Sequence, residues 1–402
     1  MKTKRLVFIA LVGWYCILIT AHYFGQRPLW NDEQCVLNSI IQLKPTELFT
    51  QPLLSLQEFP RFYLWGIQQF SRPFNDHLLA LRFFPFLAML AAFFVWLNVV
   101  RRQSQDQWSL ILFIGCWCAS VPLVYHAGEL KPYSMDVLAS GLFMLFLYHQ
   151  PDLQDTPVLH RSLLFLLPLL GVVSYPVIFL YPLPLYNLIR DAYVRRRLPP
   201  ELLFYLGGGM VWILFFYFFD YRVTTTSFLQ TCWHDYFISF NSPGEFFKTF
   251  GEQFTNLISR WFAEKPHWIK YVARFFVGSG FLYMLINFWK IFKAEGHRFR
   301  SLVPAAFSVF MMHLILGCLH KYPFSIPRLS LFFAPFLLWM TVLAMQWLRG
   351  KSKIAGTMIE VIFALYLVFI SVGISRVIFA CNPYLPHSGP GLGGLSELWQ
   401  NR

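Results

Sequence analysis

Apolar runs of about 20 residues recur along this chain, and that is the length a helix needs to cross the hydrocarbon core of a membrane. The first run, LVFIALVGWYCILITAHYF, covers residues 6–24 and follows Lys2, Lys4 and Arg5. A cleaved signal peptide is the competing interpretation, but the run is long for one and no A-x-A-like cleavage site follows it. With 56% hydrophobic and 13% charged residues, the chain is therefore predicted to be an integral membrane protein that keeps its first span.

The basic residues orient the predicted spans, because cytoplasmic loops collect Lys and Arg. With the N-terminus in the cytoplasm, the inner connections are short and rich in positive charge, as at Arg195, Arg196 and Arg197. Basic residues also flank both ends of 162–189, which predicts a hairpin of two short helices broken near Ser174–Pro176. Eleven spans are predicted in all, at 6–24, 78–100, 108–126, 133–149, 162–174, 176–189, 202–219, 271–289, 301–319, 328–348 and 354–379.

Two segments on the outer side, 25–77 and 220–270, are too long to be simple turns. Both contain aromatic residues among scattered charges, a pattern typical of amphipathic helices that lie in the membrane interface. The predicted fold class is an all-α polytopic membrane protein, a bundle of about eleven transmembrane helices with two long outer loops. The transmembrane domain is assigned to 1–379, and the glycine- and proline-rich residues 380–402 to a short external tail.

Charge and cysteine content narrow the function classes. The formal net charge of +13 suits a protein that faces anionic lipid. Nucleic-acid binding is not expected, because the basic residues lie between spans rather than in one patch. Cys35, Cys232 and Cys381 lie outside the apolar runs, and a disulfide between two of them stays an open alternative, although no disulfide framework pattern is present.

Two adjacent carboxylates, Asp32 and Glu33, follow the first span in LWNDEQCVLNSI, residues 29–40. Helix chemistry alone could explain them, since acids in a first turn suit the helix dipole. In that interpretation Asn31 is the N-cap, and Trp30 packs on Cys35 as a hydrophobic staple. The alternative is that the carboxylates serve a reaction at the membrane surface.

Further charged residues gather on the same predicted side. Glu129 and Lys131 lie in a tight turn of HAGELKPYSMD, residues 126–136, where a local salt bridge is the structural alternative. Asp136 lies about one turn into a span, where an ionisable group is costly and more often functional than not. Lys321 and Arg328 lie at the mouth of two late spans. Charges within spans are few and close to span ends, where they could snorkel: Arg82, Glu360 and Arg376.

Six motifs occur along the chain in this order: WNDE, FPRFY (59–63), RFFPFLAML (82–90), GELKPYSMD (128–136), FLQTCWHDYFISF (228–240) and KYPFSIPRLSLFFAPF (321–336). As an ordered set they resemble bacterial GT-C glycosyltransferases. These enzymes are relatives of the protein O-mannosyltransferases and of the lipid A aminoarabinose transferase. The resemblance implies a GT-C fold in the bacterial inner membrane. It also implies transfer of a sugar from a polyprenyl-phosphate carrier to a glycolipid, polysaccharide or protein acceptor on the outer face. The chain departs from the family at Glu58–Tyr63, where family members often read H-P-P-L-Y, and no soluble acceptor-binding domain is expected after the last span.

The resemblance places the catalytic acid in the first outer loop, as Asp32 is here. Displacing a lipid phosphate from an anomeric carbon needs a base near the acceptor hydroxyl and cations near the leaving phosphate. Asp32 is the candidate base, with Glu33 assisting or orienting it. Glu129 would position the acceptor or sugar, or help bind a divalent metal. Lys131 and Arg328 are the candidates for the leaving phosphate, and an inverting displacement is implied by the resemblance alone.

Five further residues are candidate substrate contacts. Lys321, Arg61 and Asp136 are predicted to lie on the same side of the membrane as Asp32. His234 and Asp235, in the second outer loop, either contact the sugar or lie on a solvated helix face. A cofactor is not predicted from the spacing: Mg or Mn would suit the carboxylates, but their positions follow no diagnostic pattern.

Two other function classes stay open from the sequence. A lipid or sugar flippase or transporter would be expected to keep ionisable residues at mid-membrane, whereas this chain concentrates them on one surface. In a non-enzymatic membrane assembly factor, Asp32 would only be a helix-start residue. Substitution of Asp32 separates an enzyme from both.

Overall fold

The computed structural model describes residues 2–25, 27–74, 77–104, 106–150, 155–223, 233–262, 267–326 and 328–380. Within these ranges every regular element is a helix and no strand occurs, which confirms the all-α fold class. The predicted tail, 380–402, lies outside the described residues apart from Ala380, as do Cys232 and Cys381. Cys35 is a free thiol.

The α-helices are numbered here in chain order: α1 Lys2–Phe24, α2 Asn31–Gln42, α3 Glu47–Thr50, α4 Arg61–Ser71, α5 Leu78–Gln103, α6 Gln107–Ala119, α7 Val121–Tyr125, α8 Tyr133–His149, α9 Pro157–Leu169, α10 Pro182–Arg195, α11 Pro200–Phe216, α12 Pro243–Ser259, α13 His267–Ala294, α14 Leu302–Cys318, α15 Ala334–Lys351 and α16 Lys353–Ala380. Among the described residues, six helical segments are long and apolar enough to cross a membrane: Thr3–Phe24, Leu78–Gln103, Pro200–Tyr221, Trp268–Ala294, Leu331–Lys351 and Lys353–Phe379. The chain is therefore a polytopic membrane protein.

The number of full-length spans is smaller than predicted. Each of the eleven predicted segments is helical, but six meet the length and hydropathy of a span, or seven if a pair bent by 66° at Ser120 counts as one. That pair consists of Gln107–Ala119 and Val121–Gly128. The others are short, such as α8 and α14 with 17 residues each. At about 1.5 Å per residue, such a helix is shorter than a hydrocarbon core of about 30 Å.

The predicted hairpin at 162–189 has its break at the predicted place. Helix α9 ends at Leu169, two 3₁₀ segments flank Ser174, and α10 begins at Pro182. Gly171 lies against α11 so closely that a Cβ added to it would fall 2.0 Å from Trp212 Nε1. A glycine is therefore needed where the broken hairpin meets α11.

The segment between α1 and α5, predicted from the sequence to be an outer segment, has a small apolar core of its own. Helices α2 and α4 bury Val36, Ile40, Tyr63 and Ile67 against Leu81 at the start of α5. The side chain of Gln68 donates to the carbonyls of Ile40 and Leu43, which joins α4 to the end of α2. The segment is therefore a packed cap on the bundle rather than a loose loop.

The second long outer segment also contains an amphipathic helix, as predicted. Helix α12 is capped by Ser242, whose side chain accepts from Glu245 N. One face of α12 carries Phe246, Phe250 and Phe254, which stack on each other and pack against the core. The opposite face carries exposed polar residues, among them Lys248 and Glu252.

Candidate active site

Asp32 lies between two cations that come from distant parts of the chain. Its Oδ2 accepts from Lys131 Nζ at 2.8 Å and from Arg328 Nη1 at 2.8 Å. The Lys131 side chain is 5% exposed, whereas the side chains of Asp32 and Arg328 are each 29% exposed. A single carboxylate oxygen thus holds two positive groups at the rim of the protein, and the predicted grouping of these three residues is observed.

Three local structures bring these groups together at one end of the bundle. Asp32 lies in the first turn of α2, shortly after α1 ends at Phe24. Lys131 lies in the turn between the bent pair and α8, and Arg328 precedes a 3₁₀ turn at Leu331 that leads into α15. Each group therefore lies next to the end of an apolar helix, where the chain leaves the bundle.

The start of α2 differs from the predicted cap. The helix begins at Asn31, so Trp30 rather than Asn31 is the N-cap residue, and Glu33 occupies the capping-box position. The Trp30 N–H donates to Glu33 Oε2 at 3.5 Å. The helix start differs from the predicted one because cations fix the position of the Glu33 side chain next to the first turn. The sequence pattern did not reveal these cations.

Glu33 is fully buried within an ion cluster. Its Oε2 lies 2.7 Å from Arg27 Nη1 and 2.9 Å from Arg82 Nη2, and its Oε1 accepts from Leu130 N at 3.0 Å. Snorkelling was one possibility for Arg82 from the sequence, but the residue is 2% exposed and its Nη1 donates to the Arg27 carbonyl. Burying these charges is tolerated because each is paired with a group of opposite charge. Glu33 therefore orients the turn that carries Asp32, and Arg27 is a site residue that sequence reasoning missed.

The indole of Trp30 contacts both cations of the site. Its ring centroid is 5.6 Å from Lys131 Nζ and 5.2 Å from Arg328 Cζ, within the range of a cation–π interaction. Its Nε1 donates to Glu129 Oε1 at 2.7 Å. The sequence suggested only a packing role for this residue; its position beside an acidic pair in WNDE was the available signal.

Glu129 is fully buried and both of its oxygens have partners. Oε1 accepts from Trp30, and Oε2 makes a short contact with His126 Nδ1. Burial raises the pKa of a carboxyl group, but the adjacent His126 outweighs it, so the pKa of Glu129 lies below its usual range. His126 is a second residue that sequence reasoning missed.

Lys131 lies in an environment that weakens its hold on a proton. Burial and the neighbouring Arg328 lower the pKa of Lys131, and the opposing effects of Asp32 and Glu129 do not fully compensate. Rings of Phe59 and Tyr133 lie 5.2 and 5.9 Å from its Nζ. This lysine therefore loses its proton more readily than an exposed lysine would.

A cavity of about 420 Å³ adjoins the charged cluster. Phe59 and Tyr133, which approach Lys131, also line the cavity. Its wall is mostly aromatic and aliphatic, and its ionisable lining residues are Glu58, Asp136 and Lys321, with further aromatic contributions from Tyr175, Phe179, Trp212, Phe216, Trp233 and Tyr322. Asp136 accepts from Ser174 Oγ at 2.7 Å. Two predicted substrate contacts, Asp136 and Lys321, therefore line a space large enough for a sugar.

Arg61 is placed apart from the charged cluster. Its Nε lies 3.0 Å from Asp220 Oδ1, and its Nη1 donates to the carbonyls of Leu48 and Gln51. The side chain is 1% exposed. Its partners thus connect the outer segment to a π-helical turn, Tyr217–Tyr221, at the end of α11.

His234 and Asp235 lie on a short 3₁₀ turn, with side chains 79% and 96% exposed. His234 Nδ1 and Asp235 Oδ1 are 3.5 Å apart. The sequence left open whether these residues contact a sugar or lie on a solvated face, and the structure places both side chains in solvent.

A divalent metal is not supported by the groups around Asp32. In the described part of the chain, no group of three or more His, Cys, Asp or Glu side chains could hold a metal ion. The Asp32 oxygen faces two cations, and the Glu129 oxygens are taken by Trp30 and His126. The residues present do not fit Mg or Mn.

No protein-family model matches the sequence, and no curated protein matches it. Among solved structures, the chain is similar to the crystal structure of ArnT from Cupriavidus metallidurans bound to undecaprenyl phosphate. The two share 16% sequence identity with a TM-score of 0.49, over 92% of this chain and 70% of that one.

Proposed function

We propose that this chain is an integral-membrane glycosyltransferase, which moves a monosaccharide from a polyprenyl-phosphate carrier to a glycolipid, polysaccharide or protein acceptor. The observation that carries the proposal is Asp32 held between Lys131 and Arg328 at the end of the bundle. A carboxylate for the acceptor and two cations for a phosphate are the groups that this reaction requires.

The two cations suit the leaving phosphate. Arg328 presents a planar fork of donors, and Lys131 supplies a compact point charge. Without substrate, the Asp32 carboxylate is the anion that these cations share. A lipid phosphate competes for the same donors, so its binding releases Asp32 to act on the acceptor.

The reaction then balances within these three residues. The acceptor hydroxyl attacks the anomeric carbon, a new carbon–oxygen bond forms, and its proton passes to Asp32. The bond between the anomeric carbon and the phosphate oxygen breaks, and the electron pair leaves with the polyprenyl phosphate, whose growing charge Lys131 and Arg328 stabilise. Attack opposite the phosphate inverts the configuration of the sugar.

The adjoining cavity is the place proposed for the sugar. Its aromatic walls offer flat apolar faces, and Asp136 and Lys321 offer groups that can hydrogen-bond to hydroxyls. The proposed location is the bacterial inner membrane, with the N-terminus in the cytoplasm and the site on the periplasmic side, as the distribution of Lys and Arg indicates.

The test uses purified protein in detergent, incubated with a panel of polyprenyl-phosphate monosaccharides and a membrane-lipid extract. Release of free polyprenyl phosphate is followed for the wild type, for Asp32→Asn, and for Asp235→Asn as the exposed control. Release that depends on Asp32 and not on Asp235 supports the proposal and identifies the donor. Folded wild type that releases none from any donor overturns it, and a flipping assay would then test a transporter.

A further inference from the structure

Trp30 contacts the two proposed phosphate-binding cations from one side. Lys131 Nζ and Arg328 Nη1 lie 2.8 Å from the same oxygen of Asp32. The two cationic groups are also 5.6 and 5.2 Å from the Trp30 ring centroid. Groups held by one oxygen are too close together to lie on opposite faces of a ring at those distances. One side of the indole therefore faces both cations.

The orientation of that ring is fixed from its other end. The indole N–H donates to Glu129 Oε1, and Glu129 is held in turn by His126 through its second oxygen. Glu129 is fully buried, and its charged form is favoured beside His126. A charge-assisted hydrogen bond to a buried carboxylate is among the stronger ones available to a side chain.

We infer that Trp30 is a positioning residue for Lys131 and Arg328, and that Glu129 acts through Trp30 rather than on the substrate. The inference rests on the proposed function, because it concerns the cations that would receive the leaving phosphate. It gives Glu129 a different role from contact with a sugar, an acceptor or a metal, since both of its oxygens already hold protein groups.

The physical reason is the entropy of two long side chains. Lysine and arginine lose considerable rotamer freedom when they are fixed at a site. An aromatic face attracts both of them before the phosphate arrives, so less freedom is lost when the phosphate binds. Loss of this positioning should therefore weaken the affinity for the donor and for free polyprenyl phosphate.

The test compares Trp30→Phe, Trp30→Leu, Glu129→Ala and the double variant Trp30→Phe/Glu129→Ala, with Trp65→Phe as the tryptophan control. Three quantities are measured: the Kd for polyprenyl phosphate, the donor KM, and kcat. Thermal stability is recorded for each variant, and only variants that stay folded are compared.

Trp30→Phe keeps an aromatic face and removes the N–H donor that fixes the orientation of the ring, so it should raise Kd by roughly two- to tenfold through lost preorganisation of the cations. Trp30→Leu also removes the aromatic face, which should weaken binding by a further factor of about three to ten. Glu129→Ala should raise Kd about as much as Trp30→Phe does. The Kd of the double variant should not exceed the higher Kd of its two single variants, because the effects of coupled residues are not additive.

Two results would overturn the inference alone: an unchanged Kd in Trp30→Phe and Trp30→Leu, or additive effects with a loss of kcat confined to Glu129→Ala. Such results would place Glu129 directly on the substrate. Failure of the proposed function gives a different pattern, because the wild type would then bind polyprenyl phosphate without transferring any sugar, or would not bind it at all.

Discussion

Arg328 Nη1 lies 2.8 Å from Asp32 Oδ2, although the two residues are 296 positions apart in the chain. The pair joins the first helix after α1 to the segment that leads into α15. Because both side chains are partly exposed, a substrate can reach the contact from the end of the bundle. Their substitution therefore separates the binding of a phosphate from the chemistry of an acceptor.

Asp32→Asn should remove turnover while leaving the binding of polyprenyl phosphate intact or tighter. The amide cannot accept a proton from the acceptor, and loss of a general base costs about 10²- to 10⁴-fold in rate. It also no longer competes as an anion for Lys131 and Arg328. Single-turnover rates and a lipid-binding titration measure the two effects separately; weaker binding together with slower turnover would contradict the release of Asp32 by the phosphate.

Arg328→Gln should raise the donor KM by about tenfold to a hundredfold, because a hydrogen bond to a charged phosphate is lost. Arg328→Lys should fall between the wild type and Arg328→Gln, since it restores the charge without the planar fork. Steady-state kinetics with varied donor provide the measurement. Lys248→Gln, on the exposed face of α12, is the control and should leave KM unchanged.

Donor affinity should fall as the pH rises into the alkaline range. Burial and Arg328 lower the pKa of Lys131, so this lysine deprotonates below the ordinary lysine range and loses its charge for the phosphate. The affinity is therefore present below the lowered pKa of Lys131 and is lost as the pH rises through it. Lys131→Arg should abolish this alkaline decline in kcat/KM, because arginine stays protonated. If the variant shows the decline at the same pH, another group is responsible for it.

Glu33→Ala should destabilise the protein by about 3–5 kcal/mol, because Arg27 and Arg82 would be left as buried charges with no carboxylate between them. Denaturant titration in detergent measures the loss of free energy of unfolding. The control is Glu252→Gln on the exposed face of α12, with an expected change within about 0.5 kcal/mol. Stability equal to wild type in Glu33→Ala would mean that the ion cluster contributes nothing to folding.

Arg61→Gln should lower the stability of the protein and leave the donor KM near its wild-type value. The substitution leaves Asp220 buried without its cation and frees the carbonyls of Leu48 and Gln51. Thermal unfolding and donor kinetics are compared with Arg72→Gln, an exposed arginine of the same outer segment. A higher KM at unchanged stability would instead support direct contact between Arg61 and the substrate.

The sequence could predict which residues share a side of the membrane, because span order and basic loops define topology. That reasoning was enough to group Asp32, Lys131 and Arg328, which the structure places in contact. The same reasoning located the broken hairpin, because basic residues at both ends of 162–189 require an even number of membrane crossings between them. The short helices could not be distinguished from full spans, since an apolar stretch shows composition more clearly than it shows where a helix ends.

Burial and pairing of charges could not be predicted, because they depend on contacts between distant residues. Arg82 near a span end looks the same in sequence whether it snorkels to the interface or pairs with Glu33, 49 positions away. The contact between Trp30 and Glu129 spans 99 positions, and the pattern around Trp30 is fully explained by a local helix start. Tertiary packing decides between such alternatives.

The Glu33 carboxylate has a mechanical consequence for how the charged cluster can open. It binds Arg27 after α1, Arg82 in α5 and the backbone of Leu130, the residue before Lys131. The backbone segments that carry Asp32 and Lys131 are thereby joined through this one carboxylate. Arg328 belongs to a segment that this carboxylate does not hold. Entry of the proposed lipid therefore requires the contact between Asp32 and Arg328 to open, while the backbone segments that carry Asp32 and Lys131 keep their relative position.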